Sequence, residues 1–418
     1  MNKTILIMVD WFYPGYKAGG PITACYNLAM LLKDNYRVCI FTSDRDLNDN
    51  HPYMGISPDT WVKWKENVFV YYATPPRLGW ANISRQIRAI APSCIYLNSM
   101  FSYYFTICPL LLKMMRSIGS RVVLSPRGML RDTALASKSF KKNLFLSIMK
   151  FFHIQDLIYF HATDAEEQKD IRRTFGERVD VVQVMDIPPV PEKAVITIPK
   201  QPGALKLIFV GRIHPIKNLH FILQVLRRTE REVALTVIGP AENEEYFHFC
   251  KGLAEELPSN ILVHFEGEIP HPGIRNRILQ HHFLILPTLG ENYGHVIIES
   301  FCAGRPVIIT NRTPWQQLSS KRIGWDLPLN DEEQFLRAID RAAGMQHDEF
   351  TWWCACSLAY AHSISNPSNY RDKYASLFES RPSVKGFRKM QPNKPDTDPK
   401  KDGRLIGTLH ERQETTIQ

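Results

Sequence analysis

The apolar residues of the chain fall into short continuous runs, which alternate with longer segments where apolar residues recur every three to four positions. Such runs are typical of strands buried on both faces of a parallel sheet, and the segments between them are typical of helices that cover it. The predicted strands are 3–10, 37–42, 94–97, 122–124, 157–161, 179–184, 206–211, 233–238, 261–265, 283–286 and 306–310. The main predicted helices are 22–33, 83–90, 103–117, 164–175, 219–228, 244–257, 273–280, 295–303, 331–344 and 349–378. This alternation predicts the α/β class, with two Rossmann-like domains, each built on a parallel sheet.

The Pro-rich segment 186–205 interrupts the alternation and is predicted to be the linker between the two domains. The N-terminal domain then covers 1–185, the C-terminal domain covers 206–345, and further helices occupy 346–380. Segment 43–76, rich in Asp, Asn and Pro, is predicted to lack regular structure. Few apolar residues follow position 380, and 381–418 is predicted to be a disordered tail.

Composition narrows the class of protein. With 418 residues, 44% of them hydrophobic and 22% charged, the chain has enough apolar material for two cores. Its eight cysteines include no C-x-x-C pair, so neither a disulfide framework nor a zinc site is indicated. The first apolar run is too short for a signal sequence, and no run approaches the roughly 18 residues of a membrane span. These features predict a cytoplasmic protein.

The net charge of +9 is concentrated in one segment. Between positions 113 and 150 stand nine Lys and Arg residues against one acidic residue, Asp132. Within this segment, the helix predicted at 138–153 carries apolar residues on one face and lysines elsewhere; the apolar positions are Phe140, Leu144, Ile148, and Phe151 or Phe152. Such a helix either lies on an anionic membrane surface or packs on the N-terminal sheet with a solvated basic face. The cations do not alternate with aromatic residues, which argues against nucleic acid as a partner.

Two glutamates mark the stretch from Phe283 to Thr310. Glu291 lies in a Gly-containing loop after a buried strand, where open α/β sheets bind ligands. Glu299 lies eight residues further on, and the helical repeat places it about two turns away on the face of the loop. The alternative is that Glu291 is a solvated loop residue and Glu299 a surface residue of the helix, which would produce the same spacing. The surrounding loop and the Gly-Arg-Pro helix stop favour a ligand site.

Two further loops carry groups suited to phosphate. Arg212 and Lys217 follow the first strand of the second domain, where a guanidinium and an ammonium could hold a diphosphate and stabilise charge on it as it leaves. Gly19 and Gly20 precede a helix whose first amide groups could also bind phosphate. The alternatives are that Arg212 and Lys217 are ordinary exposed cations, and that Gly19 and Gly20 form a plain strand–helix turn.

The loop 209–219 and the two glutamates, in this order, resemble the Gly-Arg-x-x-Pro-x-Lys-Gly and E-x7-E motifs of retaining GT-B glycosyltransferases of family 4, the group 1 type. The resemblance covers roughly residues 3–380 and implies two domains whose sheets face a cleft. It implies that Glu291 contacts the donor sugar and Glu299 the ribose hydroxyls. Arg212 and Lys217 would grip the donor diphosphate.

Several positions depart from the family motifs. Asn292, Tyr293 and Gly294 stand where the family has Gly-Phe-Gly; together with Gly20 they complete the predicted donor site. Asn218 replaces a glycine. Arg127 replaces a histidine that lies near the transferred sugar in the family, and it could reach a donor or acceptor phosphate. The family Pro-Asn-Gly is absent near Asp186. The segment 163–167 resembles the family Ser-x-x-Glu, with Glu166 as the expected contact.

The resemblance implies an enzyme that moves a hexose or related sugar from a nucleotide-diphosphate sugar to a glycan or polyprenyl-linked acceptor. Retention of configuration, no metal and no cofactor beyond the donor are implied, with Glu291, Arg212 and Lys217 as the catalytic residues. His281 and His282 are accordingly predicted to end a helix rather than to bind a metal. Cell-surface polysaccharide synthesis is the expected context, on the inner face of the cytoplasmic membrane if the 138–153 helix docks there. A nucleotide-sugar epimerase of the same architecture and a non-catalytic nucleotide-binding scaffold are the alternative functions.

Overall fold

Two sheets organise the computed structural model, which describes residues 3–136 and 139–379. The predicted tail at 381–418 and Lys138 lie outside the described residues. The strands are β1 (Thr4–Met8), β2 (Arg37–Ser43), β3 (Trp61–Lys65), β4 (Val68–Ala73), β5 (Cys94–Leu97), β6 (Arg121–Leu124), β7 (Tyr159–Ala162), β8 (Val181–Gln183), β9 (Ala204–Val210), β10 (Glu232–Ile238), β11 (Ile261–Gly267), β12 (Phe283–Leu286), β13 (Val307–Thr310) and β14 (Gly324–Leu327). The first sheet has the order β3-β4-β2-β1-β5-β6-β7-β8 and the second β11-β10-β9-β12-β13-β14. The predicted α/β class with two Rossmann-like domains is confirmed.

Helices pack against both sheets and close the apolar cores. They are α1 (Gly20–Leu32), α2 (Trp80–Ile90), α3 (Cys108–Met114), α4 (Asp132–Ala136), α5 (Ser139–Phe151), α6 (Ala165–Phe175), α7 (Leu219–Leu226), α8 (Glu244–Glu255), α9 (His271–Leu279), α10 (His295–Cys302), α11 (Leu318–Lys321), α12 (Glu332–Gly344), α13 (His347–Ile364) and α14 (Pro367–Glu379). A π-helical turn, Tyr103–Ile107, precedes α3. In the described part of the chain, no helix is both long enough and apolar enough to span a bilayer.

The first sheet is mixed, which corrects the prediction of a purely parallel one. Strand β4 pairs in parallel with β2 and antiparallel with β3, so the segment expected to be irregular contains a hairpin. Asn67 takes a φ of 56° in the tight turn, a conformation that Asn tolerates better than most residues. Val68 and Val70 are fully buried, and this burial outweighs the turn-forming residues around the hairpin.

The predicted helix 349–378 is two helices. Pro367 has no amide hydrogen to continue a helix and disfavours helical geometry in the residue before it, so α13 ends at Ile364 and α14 begins at Pro367. The four buried side chains of α14 join the core beside β1 and β5 of the first sheet; they are Tyr370, Tyr374, Leu377 and Phe378. The last described helix thus completes the core of the N-terminal sheet.

Helix α5 exposes the apolar face that the sequence predicted. Its buried residues are Leu146 and Met149, on the opposite side. The exposed fractions are 79% for Phe140, 51% for Leu144, 37% for Ile148 and 78% for Phe151. The helix therefore packs on the N-terminal core through Leu146 and Met149, while its apolar face points to solvent.

Two buried histidines are neutral parts of the framework. His161 lies between the hydroxyl of Tyr96, 2.8 Å from Nδ1, and the carbonyl of Val184, 2.7 Å from Nε2. His282 accepts from the amide of Lys206 at Nδ1, 2.9 Å away, and its Nε2 lies 3.1 Å from a backbone carbonyl. Burial lowers the pKa of each from 6.5 to about 4.

Acid should therefore destabilise the protein well before its carboxylates titrate. Below pH 6.5 these histidines become protonated in the unfolded chain, whereas in the folded chain they remain neutral down to about pH 4. The stability they contribute is present above pH 6.5 and is lost as pH falls towards 4. Between pH 7 and pH 5 the free energy of unfolding should drop by about 2 kcal/mol per histidine. In urea denaturation, His282→Gln should lose its share of this drop, and an unchanged pH slope would contradict the assignment.

Candidate functional site

The candidate site lies where loops at the carboxyl ends of β9 and β12 meet loops of the N-terminal sheet. Arg131, from the loop after β6, donates to the carbonyl of Glu291, 3.1 Å away. Asn292 donates through Nδ2 to Oγ1 of Thr163, 2.6 Å away. Carboxyl ends of parallel strands are where open α/β sheets bind ligands, so both domains contribute to one ligand-binding edge.

Lys217 and Glu291 form an ion pair at the centre of this edge. Their side chains are 18% and 14% exposed, so the pair is shielded but can still be reached from solvent. Asn218 holds the lysine loop in place, with a φ of 58° and a hydrogen bond of 3.1 Å to the carbonyl of Pro287, just after β12. The ammonium and the carboxylate thus come from two loops of the same sheet that are tied to each other.

Arg212 lies in the same loop as Lys217 but has a different partner. Its guanidinium is 2.5 Å from Glu242, and its side chain is 40% exposed. A cavity of about 460 Å³ is lined by the next residue, Ile213, together with residues that include Gly239 and Glu268. Arg212 itself pairs with Glu242 and stays outside the Lys217–Glu291 pair.

Glu299 lies inside α10 and is largely shielded, with a side chain 12% exposed. Nε2 of His271 is 2.9 Å from its carboxylate and 3.3 Å from the hydroxyl of Thr23 on α1. The hydrogen bond to Glu299 raises the pKa of His271 above its ordinary value. Glu299 is thus linked through one imidazole to the opposite domain.

The residues of the loop between β12 and α10 have different roles. Tyr293 is 4% exposed, and Nε1 of Trp315 donates to its carbonyl at 2.6 Å, so its ring belongs to the core. Any contact of this residue with a ligand must come from its main chain. Gly294 has a φ of 73° and immediately precedes α10, so it sets the direction in which the helix begins.

Three buried polar atoms of this loop have no hydrogen-bond partner among the described residues. They are Oδ1 of Asn292, the hydroxyl of Tyr293 and Nδ1 of His295. Unsatisfied buried polar atoms are rare in folded proteins and usually mark the place of a ligand or water. Because the Tyr293 hydroxyl lies with its ring in the core, Asn292 and His295 are the residues of this loop whose unsatisfied atoms could meet a bound group.

Arg127 is buried and turned inward, which removes it as a phosphate ligand. Its NH1 lies 2.5 Å from Asp186, Nε donates to Asn98 at 2.6 Å, and NH2 donates to the hydroxyl of Tyr96 at 3.0 Å. Burial alone would raise the pKa of Asp186, but the charge of Arg127 and a hydrogen bond to His295 hold it well below its usual range. The prediction that Arg127 reaches a phosphate is therefore corrected; Arg127 anchors Asp186, the first residue of the predicted linker.

Gly20 faces the same loop from the N-terminal domain. A Cβ added there would lie 3.0 Å from Cδ2 of His295. Gly20 is the first residue of α1, whose beginning receives no side-chain cap. The start of α1 therefore approaches the first residue of α10 closely, and glycine is the residue that allows this approach.

Glu166, the predicted ligand contact, is not one of the buried residues of this region. Glu166 is on the surface and pairs with Lys169 at 2.7 Å. Glu167 is fully buried and accepts from the amides of Gly128 and Thr163, each at 2.7 Å. The signal was present in the sequence, because Asp164 caps α6 and the third residue of a capped helix commonly turns back to the preceding chain.

His281 and His282 lie in the interior. Nδ1 of His281 contacts the carbonyl of Arg277 at 2.6 Å, and Nε2 lies 2.8 Å from Thr236. They follow the end of α9, as predicted. Across 3–136 and 139–379, no three His, Cys, Asp or Glu side chains gather as a metal site.

In the comparison with known proteins, a family model matches much of the C-terminal half of the chain. Residues 193–348 match the family model Glycosyl transferases group 1. Two curated relatives match over 114 residues, the D-inositol 3-phosphate glycosyltransferases of Pseudarthrobacter chlorophenolicus and Kribbella flavida, at 23% and 27% identity. These matches cover 26% and 25% of this chain and only 27% of the length of each relative.

Solved structures match over most of the chain. Sucrose-phosphate synthase from Thermosynechococcus elongatus has a TM-score of 0.67 at 15% identity, covering 90% of this chain and 98% of that one. HepE from Anabaena, solved with UDP and glucose, has a TM-score of 0.64 at 12% identity, again covering 90% of this chain and 98% of that one. WaaG, a glycosyltransferase involved in lipopolysaccharide biosynthesis, has a TM-score of 0.60 at 13% identity, covering 90% and 100%. The segment that holds Lys217 and Glu291 thus matches the group 1 glycosyl transferases, and the chain has the GT-B fold of these solved structures.

Proposed function

We propose that the protein transfers a sugar from a nucleotide-diphosphate donor to a hydroxyl group of an acceptor. The observation that carries this proposal is the shielded Lys217–Glu291 pair, followed in the same loop by Asn292 and His295, each with a buried polar atom that lacks a partner among the described residues. A donor supplies what each of these groups lacks. Its diphosphate would take the ammonium from Glu291, and its sugar hydroxyls would donate to the freed carboxylate.

The proposed roles follow from position. Lys217 stabilises the negative charge that grows on the diphosphate, and Arg212 reaches the same diphosphate after leaving Glu242. Glu291 orients the sugar. Glu299 accepts from the ribose hydroxyls once His271 yields its place. Gly20 brings the start of α1 close to this loop, because any side chain there would meet His295.

In the proposed reaction, the bond between the anomeric carbon and the diphosphate oxygen breaks, and a bond from that carbon to the acceptor oxygen forms. The diphosphate leaves with the bonding electron pair and receives the proton of the acceptor hydroxyl. The acceptor oxygen attacks the anomeric carbon from the side of the leaving group, to which it gives its proton. The anomeric configuration is therefore retained. Lys217 and Arg212 supply positive charge at the diphosphate in this scheme, and no metal is proposed.

For the substrates, we build on what is known of similar folds. HepE was solved with UDP and glucose, and WaaG is named for lipopolysaccharide biosynthesis. A hexose or related sugar on a uridine or other nucleoside diphosphate is the proposed donor. A glycan or polyprenyl-linked saccharide is the proposed acceptor, in the assembly of cell-surface polysaccharide.

Donor binding can be tested by thermal shift with a panel of nucleotide sugars. One of them should raise the melting temperature by several degrees, since a ligand at 100 times its Kd stabilises the fold by about 2.7 kcal/mol. Glu299→Gln should weaken that shift, while Glu166→Gln, the same change at a surface glutamate, should leave it intact. A panel without any shift would contradict the proposal.

Product analysis with a labelled donor then separates the remaining functions. Transfer of label to an added saccharide acceptor supports the proposal. An epimerised donor formed without acceptor would establish the nucleotide-sugar epimerase instead. Binding without turnover, across donors and a broad set of saccharide and lipid-linked acceptors, would establish the non-catalytic scaffold.

A further inference from the structure

Helix α5 carries an apolar ridge that faces away from the protein. The ridge consists of Phe140, Leu144, Ile148 and Phe151, which follow one another at intervals of three and four residues along one side of the helix. A helix of a globular protein normally turns its largest apolar residues towards the core. In α5 the core side holds Leu146 and Met149, and two phenylalanines on the outer side remain more than three-quarters exposed.

The ridge continues past the end of the helix. Phe152 is 52% exposed, and its ring packs edge-on against that of Phe151 at 5.0 Å between centroids. Leu157, in the next turn, is 43% exposed. Single exposed apolar residues are common on protein surfaces, but a series of this length on one element marks an interaction surface.

Lysines border the ridge on both sides. With about 100° of rotation per helical residue, Lys141 lies about 100° to one side of Phe140 and Lys150 about 80° to the other. Both lysines are exposed. The nearest acidic side chains along the chain already have basic neighbours, Asp132 with Arg173 at 3.0 Å and Asp156 with His153 at 3.3 Å. Within 3–136 and 139–379 neither lysine forms an ion pair, so the surface presents an apolar centre between positive margins.

We propose that this ridge docks on an anionic lipid bilayer. Phenylalanine and leucine side chains would enter the boundary between head groups and acyl chains, while Lys141 and Lys150 extend to the lipid phosphates. Each lysine near an anionic leaflet adds attraction that salt screens. This combination of an apolar ridge with basic margins matches a bilayer surface in both depth and charge.

Two other occupants fit the charge less well. A second copy, related by a two-fold axis, would bring the same lysines against each other. The segment 381–418 contains nine Lys and Arg residues against five Asp and Glu, so it too repels a basic surface. Charge complementarity therefore selects the anionic bilayer.

Docking would also place the candidate cleft beside the membrane. Helix α4 follows directly on Arg131, which contacts Glu291, and Lys142 of α5 donates to the carbonyl of Ala134 in α4 at 2.6 Å. The membrane-facing helix is thus joined to the catalytic edge through one short helix. This part of the inference rests on the proposed function and implies an acceptor that carries a lipid anchor, whereas the docking itself does not depend on it.

Vesicle sedimentation of the full chain tests the inference. The protein should bind vesicles that contain about one third phosphatidylglycerol, bind pure phosphatidylcholine at least about tenfold more weakly, and dissociate at high salt. The F140S/F151S variant should lose about tenfold or more in affinity for the anionic vesicles, and K141E/K150E should lose its preference for them. Phe249→Ser, a change at a phenylalanine that is 51% exposed on α8, is the matched control and should bind normally.

Equal binding by F140S/F151S and the unchanged chain would overturn the proposal. So would a concentration-dependent dimer that F140S/F151S dissociates, or vesicle binding that appears only when residues 381–418 are removed. The donor-induced thermal shift, measured on the same variants, keeps the two proposals apart. A retained shift with lost vesicle binding supports docking, and a missing shift in the unchanged chain contradicts the proposed function alone.

Discussion

Replacing Lys217 by alanine should lower kcat by about 10²- to 10³-fold while leaving the fold intact. The ammonium is fixed beside Glu291 by a loop that Asn218 ties to the neighbouring strand, so it needs no rearrangement as charge develops on the diphosphate. Removing one such preorganised group typically costs this factor. The initial rate of sugar transfer, measured at saturating donor and acceptor, gives the result.

Two matched variants make the test specific. Lys217→Arg should recover part of the rate, because it keeps the charge but changes its geometry. Lys169→Ala removes a lysine that also pairs with a glutamate, Glu166, but on the surface of α6, and it should leave the rate unchanged. A Lys217→Ala enzyme that transferred sugar at full rate would rule out the proposed role of the pair.

Replacing Arg127 by alanine should cost about 3–5 kcal/mol of unfolding free energy, the largest stability effect expected from one substitution here. The change leaves the carboxylate of Asp186, whose side chain is 4% exposed, without its charged partner. Breaking a buried pair by removing one member is costly because the remaining charge stays desolvated. Urea denaturation at pH 7 measures the loss.

The double variant R127A/D186A distinguishes the pair from a packing effect. It should be considerably more stable than the sum of the two single changes implies, because neither charge is left alone. Arg173→Ala breaks the exposed pair with Asp132 and should cost less than about 1 kcal/mol. Additive losses at Arg127 and Asp186 would show that the charges do not interact as the geometry requires.

The sequence could predict those features whose determinants are local. A strand, a Gly-containing loop and a capped or stopped helix lie within about ten residues of one another, so the positions of Glu291 and Lys217 at strand ends followed from the pattern. Their direct contact joins loops 74 residues apart, but it follows from the parallel order of neighbouring strands β9 and β12. Local pattern and sheet topology together were sufficient there.

Features that depend on distant partners could not be predicted in this way. The inward turn of Arg127 is decided by Asp186, 59 positions away, and nothing in the loop around Arg127 announces it. His271 contacts Thr23, and His295 contacts Asp186, only because the two halves of the chain meet. The exposed face of α5 was recognisable as amphipathic, but which face the core would choose depended on how Leu146 and Met149 pack.

Helix α14 has a consequence for how the protein is made. The ribosome completes the first sheet well before it reaches Pro367, yet Tyr374 and Phe378 are part of the core of that sheet. Until the last described helix emerges, the nascent N-terminal domain must expose the apolar surface that this helix covers, next to β1 and β5. A fragment ending at the predicted linker would keep that surface exposed permanently. A chimaera that combines halves of two related proteins should therefore take α14 from the same protein as the N-terminal sheet.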